Sequence, residues 1–474
     1  MSRSKYLIKN TALYTVSTIS SKMISFFMVS FYTSVLTKEI YGQLDVIFAT
    51  INLLIPIVAL SINNSILRFS LDKNANKNNI FKVGCMVTAA GTIAVALIAS
   101  ILRLFLTYDW LILAAILLII EIWYLLFAEF IRGMDKNGLY VLSNIMLVIF
   151  VALLNILFLG YFKLGIYGYL LAYIISYVIC SLFLVFLINP FKVLKSANPT
   201  TLKTTMHEML RYCVFLIPNS IFWWITISSD KYIIIFLIGS AFNGIYSVSN
   251  KVPTLITYSF QIFIQAWQLS AIKEQGKENE KEFVNDIYKG LFSVLSVAVS
   301  LFLLIIKPFI SIYVNKDYYS AWQAASILGV TAMFNILSSF VGIRYVVIKD
   351  NKKNMYTTLL GAGINIILNF ILIPKYKLIG AAIATLVSYF VVFIVRIVDT
   401  KKYLPITILK EHYLILICIA IQLVMLFNDR IIGIISGLIF FVAIGIINGR
   451  HIKNVLIMFR RKRNENKVFS QENS

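Results

Sequence analysis

Apolar runs of roughly twenty residues or more, joined by short polar links, fill the chain from Thr11 to Ile447. Each is long enough to cross a ~30 Å hydrocarbon core as a helix. The pattern predicts about fourteen helices. The first six are Thr11–Leu36, Asp45–Leu67, Val83–Phe105, Trp110–Ile131, Tyr140–Phe162 and Tyr167–Ile188. A longer polar link, Asn189 to Glu208, follows. Then come Met209–Ile238, Gly244–Ile272, Tyr288–Val314, Ala321–Ile348, Tyr356–Ile373, Ile379–Val398, Glu411–Phe427 and Ile431–Ile447. The expected fold is an all-α integral membrane protein.

Charges interrupt several of these runs. Lys22, Glu121, Asp230, Lys231 and Lys251 lie inside segments that otherwise read as spans. A charged side chain at mid-bilayer costs roughly 2.5 to 3.5 kcal/mol on insertion scales, and it is tolerated where it faces a watery path or a partner. These positions therefore predict a polar interior path, the hallmark of a transporter.

Composition agrees. The chain of 474 residues is 59% hydrophobic and 14% charged, against about 25% charged in soluble domains. Mean hydropathy is +0.84. The short basic opening, Met1 to Asn10, runs directly into an apolar segment and predicts a first span rather than a cleaved leader. The net charge of +22 does not point to nucleic acid, because the basic residues gather in alternate short loops. One set holds Lys73, Lys77 and Lys82; Lys192, Lys195 and Lys203; Lys273, Lys277 and Lys281; Lys352 and Lys353; Lys401 and Lys402; and the tail Arg460 to Arg463. The opposite loops are poor in Lys and Arg. The positive-inside rule places the basic set and both termini in the cytoplasm. Tyr108, Trp110, Tyr313, Tyr318, Tyr319 and Trp322 are expected at the outer interface. Cys85, Cys180, Cys213 and Cys418 have no metal-site spacing, and no metal is expected. The predicted outer loops are short, which argues against a membrane enzyme with a catalytic extracytoplasmic loop.

The chain also repeats itself. Asn155 precedes Lys163-Leu164 as Asn369 precedes Lys377-Leu378. Gly168 precedes Ser176-Tyr177 as Gly380 precedes Ser388-Tyr389. Tyr41-Gly42 and Asn243-Gly244 each open a helix after a short outer loop. The halves are offset by about 200 to 215 residues. An even number of helices separates the matches, so the repeats are parallel, related by an axis along the membrane normal. The expected organisation is an N-terminal six-helix bundle (1–208), a C-terminal six-helix bundle (209–403), and a terminal helix pair with a basic tail (404–474).

One stretch carries a family resemblance. Pro218-Asn219-Ser220 is followed by Asp230-Lys231-Tyr232-Ile233-Ile234, then Gly239, Gly244-Ile245-Tyr246-Ser247-Val248 and Lys251-Val252-Pro253. With the helix plan, it resembles the polysaccharide transporter branch of the multidrug/oligosaccharidyl-lipid/polysaccharide exporter superfamily, most closely Wzx-type flippases for O-antigen or capsule repeat units. The resemblance implies two bundles around a central cavity, alternating access, and an undecaprenyl-pyrophosphate-linked oligosaccharide as substrate. It also implies a home in the bacterial cytoplasmic membrane, no cofactor beyond a coupling proton or sodium ion, and a polymerase and chain-length proteins as pathway partners. A lipid II flippase and a cation-coupled multidrug exporter share the superfamily and remain alternatives.

The residues then take candidate roles. A sugar diphosphate cannot shed its water in hydrocarbon without replacement partners. Lys22, Lys231 and Lys251 are candidate phosphate partners, although Lys251 can also snorkel to an interface. Trp223 and Trp224 can stack on sugar rings or simply pack. Asp230 and Glu121 are candidate ion-coupling groups; Asp230 can instead balance a lysine. Glu129 is expected to pair with Arg132. Pro56, Pro218 and Pro253 are expected to bend helices two, seven and eight.

Overall fold

The computed structural model describes residues 20–72, 75–105, 108–348, 350–403, 405–428 and 432–449. Among them the regular structure is helical: α1 (20–35), α2 (Lys38–Val58), α3 (Ile62–Ser70), α4 (Lys77–Phe105), α5 (Trp110–Gly133), α6 (Asn137–Asn155), α7 (Gly165–Ile188), the short α8 (Pro190–Lys195), α9 (Pro199–Ile238), α10 (Ser240–Lys251), α11 (Pro253–Glu274), α12 (Glu280–Tyr313), α13 (Ala321–Val347), α14 (Asn351–Thr400), α15 (Lys410–Leu426) and α16 (432–449). Nine of the described helices are long and apolar enough to cross a membrane, or ten with α9 counted as one bent span. The chain is a multi-pass membrane protein. The remaining expected spans are the partly described first helix, the broken α10–α11, the second arm of α14, and the shorter α15, so the pattern is compatible with fourteen. Residues 11–19 of the first expected helix and the tail after 449 lie outside the described residues.

Four expected helices differ in detail. The run Asp45–Leu67 is two helices. The chain turns through left-handed conformations at Leu60 (φ 46°) and Ser61 (φ 53°), and the Ser61 N–H donates to the Pro56 carbonyl at 2.9 Å. That long-range closing bond is how a helix C-terminus is capped. Ala59, Ile62 and Ile66 bury the turn from both sides. The eighth run breaks after Lys251, so Pro253 opens α11 at its first position rather than bending a continuous helix. A proline there gives up an N–H that would have no intrahelical partner. Conversely, helices eleven and twelve run together as α14, kinked at Lys377.

The duplication is written into the backbone. Lys163 and Lys377 have φ of 53° and 51°, a conformation uncommon in residues other than glycine. Asn155 and Asn369 are both fully buried, and Ser176 and Ser388 each donate to the carbonyl four residues back, at 2.6 and 2.7 Å. Gly168 and Gly380 sit where a Cβ would press on Phe158 O and Leu372 O, equivalent atoms of the preceding arm.

The molecule forms two compact units, which divide between Ser229 and Asp230 inside α9. In unit 1, α5 is central and packs on α2, α3, α4, α6 and α7. In unit 2 the central helix is α13, buried over nearly its whole length by α10, α11, α12 and α14. These are the fourth spans of their halves, so each repeat is built around the same helix. The terminal pair belongs to unit 2: Gln422 exchanges hydrogen bonds with Ser300 of α12 (2.7 and 3.0 Å), and Asn448 donates to Ser296 (3.0 Å).

Each half also fastens the link by which the chain leaves it. Asn79 of α4 donates to the Asn198 carbonyl (3.0 Å) and to Thr201 Oγ1 (2.8 Å), and accepts from the Asn198 N–H (2.7 Å). Asn285 of α12 donates to the Pro405 carbonyl (3.2 Å) and accepts from the Thr407 N–H (2.6 Å).

Candidate functional site

The candidate residues fall in both units: Lys22, Glu121, Trp223 and Trp224 in unit 1, and Asp230, Lys231 and Lys251 in unit 2. Lys22 is an exposed residue of α1, roughly 20 Å along the axis from Leu36. The side chain of Trp223 lies outside the described residues. Trp224 is half-buried, and its indole N–H donates to the Ala49 carbonyl of α2 at 2.6 Å. That bond ties α9 to α2 while leaving part of the ring exposed.

Glu121 stands midway along α5, half-buried. The Tyr177 hydroxyl of α7 donates to its Oε1 at 2.9 Å. Tyr177 ends a row of tyrosines spaced four residues apart, one α-helical turn each, so all three share one face. Tyr173 and Tyr169 follow it, with ring centroids 6.5 and 5.1 Å apart, and the Tyr169 and Tyr173 hydroxyls are 3.5 Å apart. The row meets Phe48 of α2 (4.6 Å from Tyr173) and Tyr32 of α1 (5.1 Å from Tyr169). Tyr124 packs on Tyr177 and donates to Asn144 Oδ1 at 2.9 Å. Glu129 accepts from Arg132 at 3.4 Å, the expected pair.

Asp230 and Lys231 open the part of α9 that packs in unit 2, and both are half-buried. Asp230 Oδ1 accepts from the Lys231 backbone N–H at 2.9 Å, and Asp230 lies within electrostatic reach of Tyr246 and Tyr389. Lys251 is exposed at the C-terminus of α10, where a cation meets the negative end of the helix dipole. Tyr313, Tyr318 and Trp322, expected at an outer interface, are buried in unit 2. Lys307 lies over the Trp322 ring, 4.2 Å from its centroid.

The sequence reading passed over Arg396, which is only 7% exposed. Its guanidinium is held by neutral acceptors on two segments: Thr357 Oγ1 (3.0 Å), Asn354 Oδ1 (2.9 Å) and Thr358 Oγ1 (3.1 Å) on the first arm of α14, and Ser338 O (2.9 Å) and Oγ (3.2 Å) on α13. The test that singled out Lys22, a charge inside an apolar run, would have found it. Arg344 pairs with Glu280 beneath Trp267 and Phe340. Among the described residues no cluster of His, Cys, Asp and Glu could hold a metal ion.

Comparison with known proteins adds four findings. Residues 7–268 match the sequence family described as polysaccharide biosynthesis protein. Two uncharacterized membrane proteins of Methanocaldococcus jannaschii are similar. One is 30% identical over 165 residues, covering 34% of this chain and 31% of the relative. The other is 26% identical over 283 residues, covering 56% and 66%. The matched stretches thus span less than two thirds of either relative. Among solved structures, the lipid II flippase MurJ in an inward closed conformation superposes with a TM-score of 0.67 at 15% identity, covering 95% of this chain and 100% of that one. An inward-facing multidrug MATE transporter superposes with a TM-score of 0.61 at 14% identity, covering 82% and 98%. At these identities the likeness establishes a shared fold.

Proposed function

The chain belongs to the polysaccharide biosynthesis protein family, and from that membership we propose that it flips a polyprenyl-pyrophosphate-linked oligosaccharide from the cytoplasmic to the outer leaflet by alternating access. The observation that carries the proposal is the set of lysines, Lys22, Lys231 and Lys251, within the expected spans of a chain that shares its fold with the lipid II flippase MurJ. A diphosphate headgroup needs cations to replace its hydration. Lys22 in unit 1 and Lys231 and Lys251 in unit 2 are cations of that kind. Trp224, part of its ring exposed, offers a stacking face for sugar. The basic loops place both termini in the cytoplasm, the side on which such a substrate is assembled. Asp230 and Glu121 are the groups that would bind a coupling ion.

The likeness to the lipid II flippase covers 95% of this chain, against 82% for the inward-facing MATE transporter. Both likenesses are of fold, and lipid II itself stands as a second reading.

The test is flipping of a fluorescent polyprenyl-pyrophosphate sugar by purified protein in liposomes. Lys22→Gln with Lys231→Gln should insert and fold normally yet lose most activity, and arginine at both positions should restore more than glutamine does. Full activity in the glutamine double variant would remove the lysines from the headgroup path. A lipid II substrate flipped in preference to the oligosaccharide would select the second reading.

A further inference from the structure

We infer that Glu121 and the tyrosine row of α7 form a proton-exchange site inside unit 1, with Tyr177 as the residue that positions the carboxyl. Three observations support it. Glu121 stands at mid-span with no cation paired to it among the described residues, although Glu129 on the same helix has Arg132. Among the described residues its hydrogen-bond partner is the Tyr177 hydroxyl, at 2.9 Å. Behind Tyr177 the row continues through Tyr173 and Tyr169 to Tyr32 of α1.

The chemistry of the partner decides the assignment. An arginine or lysine can only donate, so it would fix the carboxylate as an anion. A carbonyl can only accept, so it would fix the acid. A tyrosine hydroxyl does both: it donates to the carboxylate, and after rotation accepts from the carboxylic acid. The Glu121 carboxyl therefore keeps a hydrogen bond in both protonation states. A metal ion is a poorer fit, because a hard cation wants about six oxygen ligands and no multi-carboxylate cluster stands among the described residues.

The surroundings leave Glu121 to the tyrosines. From α7, Tyr177 and Tyr173 are the titratable groups within electrostatic reach of it. Arg68 of α3 is held by Asp72 at 2.6 Å. On α4, Lys77, Lys82 and Arg103 lie toward the ends, and Lys77 donates to the Gly133 carbonyl at 3.3 Å; Cys85 lies three residues beyond Lys82. From α6, Tyr140 lies against Arg132, 5.3 Å from its ring. On α2, Lys38, Glu39, Tyr41 and Asp45 fall in the first two turns. On α5 itself, Tyr124 bonds Ser143 and Asn144.

When a proton arrives from water, an O–H bond forms at a Glu121 oxygen, one breaks in hydronium, and the Tyr177 hydroxyl reverses. Beside Tyr177, with ring centroids 6.5 Å apart, stands Tyr173, whose hydroxyl lies 3.5 Å from that of Tyr169. The row ends against Tyr32 of α1, the helix that carries Lys22. The inference deepens the flippase reading, in which a coupling ion is expected, but the site stands or falls on its own measurement.

Infrared difference spectra of the purified full-length protein in lipid, recorded across pH steps, read the carboxylic acid C=O stretch directly. We expect a band that grows on acidification, disappears in Glu121→Gln, and shifts in Tyr177→Phe with a change in midpoint on the order of tenfold in proton concentration, the worth of one hydrogen bond to a charged group. Tyr177→Phe should keep the thermal stability of the wild type to within a few degrees, so a lost band could not be blamed on unfolding. A wild-type spectrum with no Glu121-dependent change between acid and alkaline pH overturns the site. So does a band indifferent to Tyr177→Phe. A protein that shows the band but flips no lipid-linked sugar overturns the flippase reading instead.

Discussion

Replacing Arg396 by lysine should destabilise the protein at least as much as replacing it by methionine. The guanidinium makes five hydrogen bonds, to Thr357, Ser338 (two), Asn354 and Thr358. No carboxylate pairs with it among the described residues, so the buried charge is stabilised by dipoles alone. Lysine has three donors to arginine's five. At least two of the five bonds are lost, at about 1 to 3 kcal/mol each, while the charge stays buried. The cost is thus about 2 to 6 kcal/mol. Methionine loses all five bonds but also removes the charge, and Thr357 and Thr358 keep their own bonds to the Asn354 carbonyl at 3.0 and 2.9 Å. Removing a buried charge can be close to neutral where no opposite charge is left behind. Thermal unfolding of the purified variants, followed by size-exclusion fluorescence, should show Arg396→Lys falling by on the order of 5 to 10 °C, with Arg396→Met no lower. A lysine variant as stable as wild type, with methionine far below it, would mean that the charge matters and the fork geometry does not.

Two further outcomes follow from the structure. Asn79→Ala and Asn285→Ala should each cost about 1 to 3 kcal/mol, because each strands backbone groups of the link it holds; unchanged proteolysis near residues 196–201 and 405–407 in both variants would show that the links hold without them. Reporters fused after Lys195 and Lys402 should be cytoplasmic and one at Asn315 external, from the loop charge asymmetry; Lys195 and Asn315 on one side would break the span assignment.

Much of the architecture was legible because membrane helices announce themselves by length and polarity. The duplication was legible for a different reason. Lys163 and Lys377 turn the chain at positive φ, and Gly168 and Gly380 sit where a side chain would strike the preceding arm, so backbone requirements left matching residues in both halves. The break between α2 and α3 left no such mark, because it uses Leu60 and Ser61 rather than glycine. The same holds for the clamps. Asn79 reaches a link 119 residues away, a pairing that no local pattern encodes. At the candidate site, Glu121 was visible as a charge in an apolar run. Its partner Tyr177 was not, because a tyrosine in a span reads as packing until the neighbouring helix is in place. Trp224 shows the converse: the sequence leaves it between stacking on sugar and packing, and its bond to Ala49 ties two helices and serves packing.

The most direct measurement is flipping under an imposed potential. A diphosphate headgroup carries roughly two negative charges, and moving them through 100 mV is worth about 4 to 5 kcal/mol. With the lysines fixed in the protein, this work is done on the substrate alone. Purified protein in liposomes, given a fluorescent lipid-pyrophosphate oligosaccharide and potassium diffusion potentials of either sign, should flip faster toward the positive side with no ion gradient coupled to it. Equal rates under both signs would contradict an uncompensated anionic headgroup crossing past fixed lysines, and rates no higher than in protein-free liposomes would contradict flipping altogether.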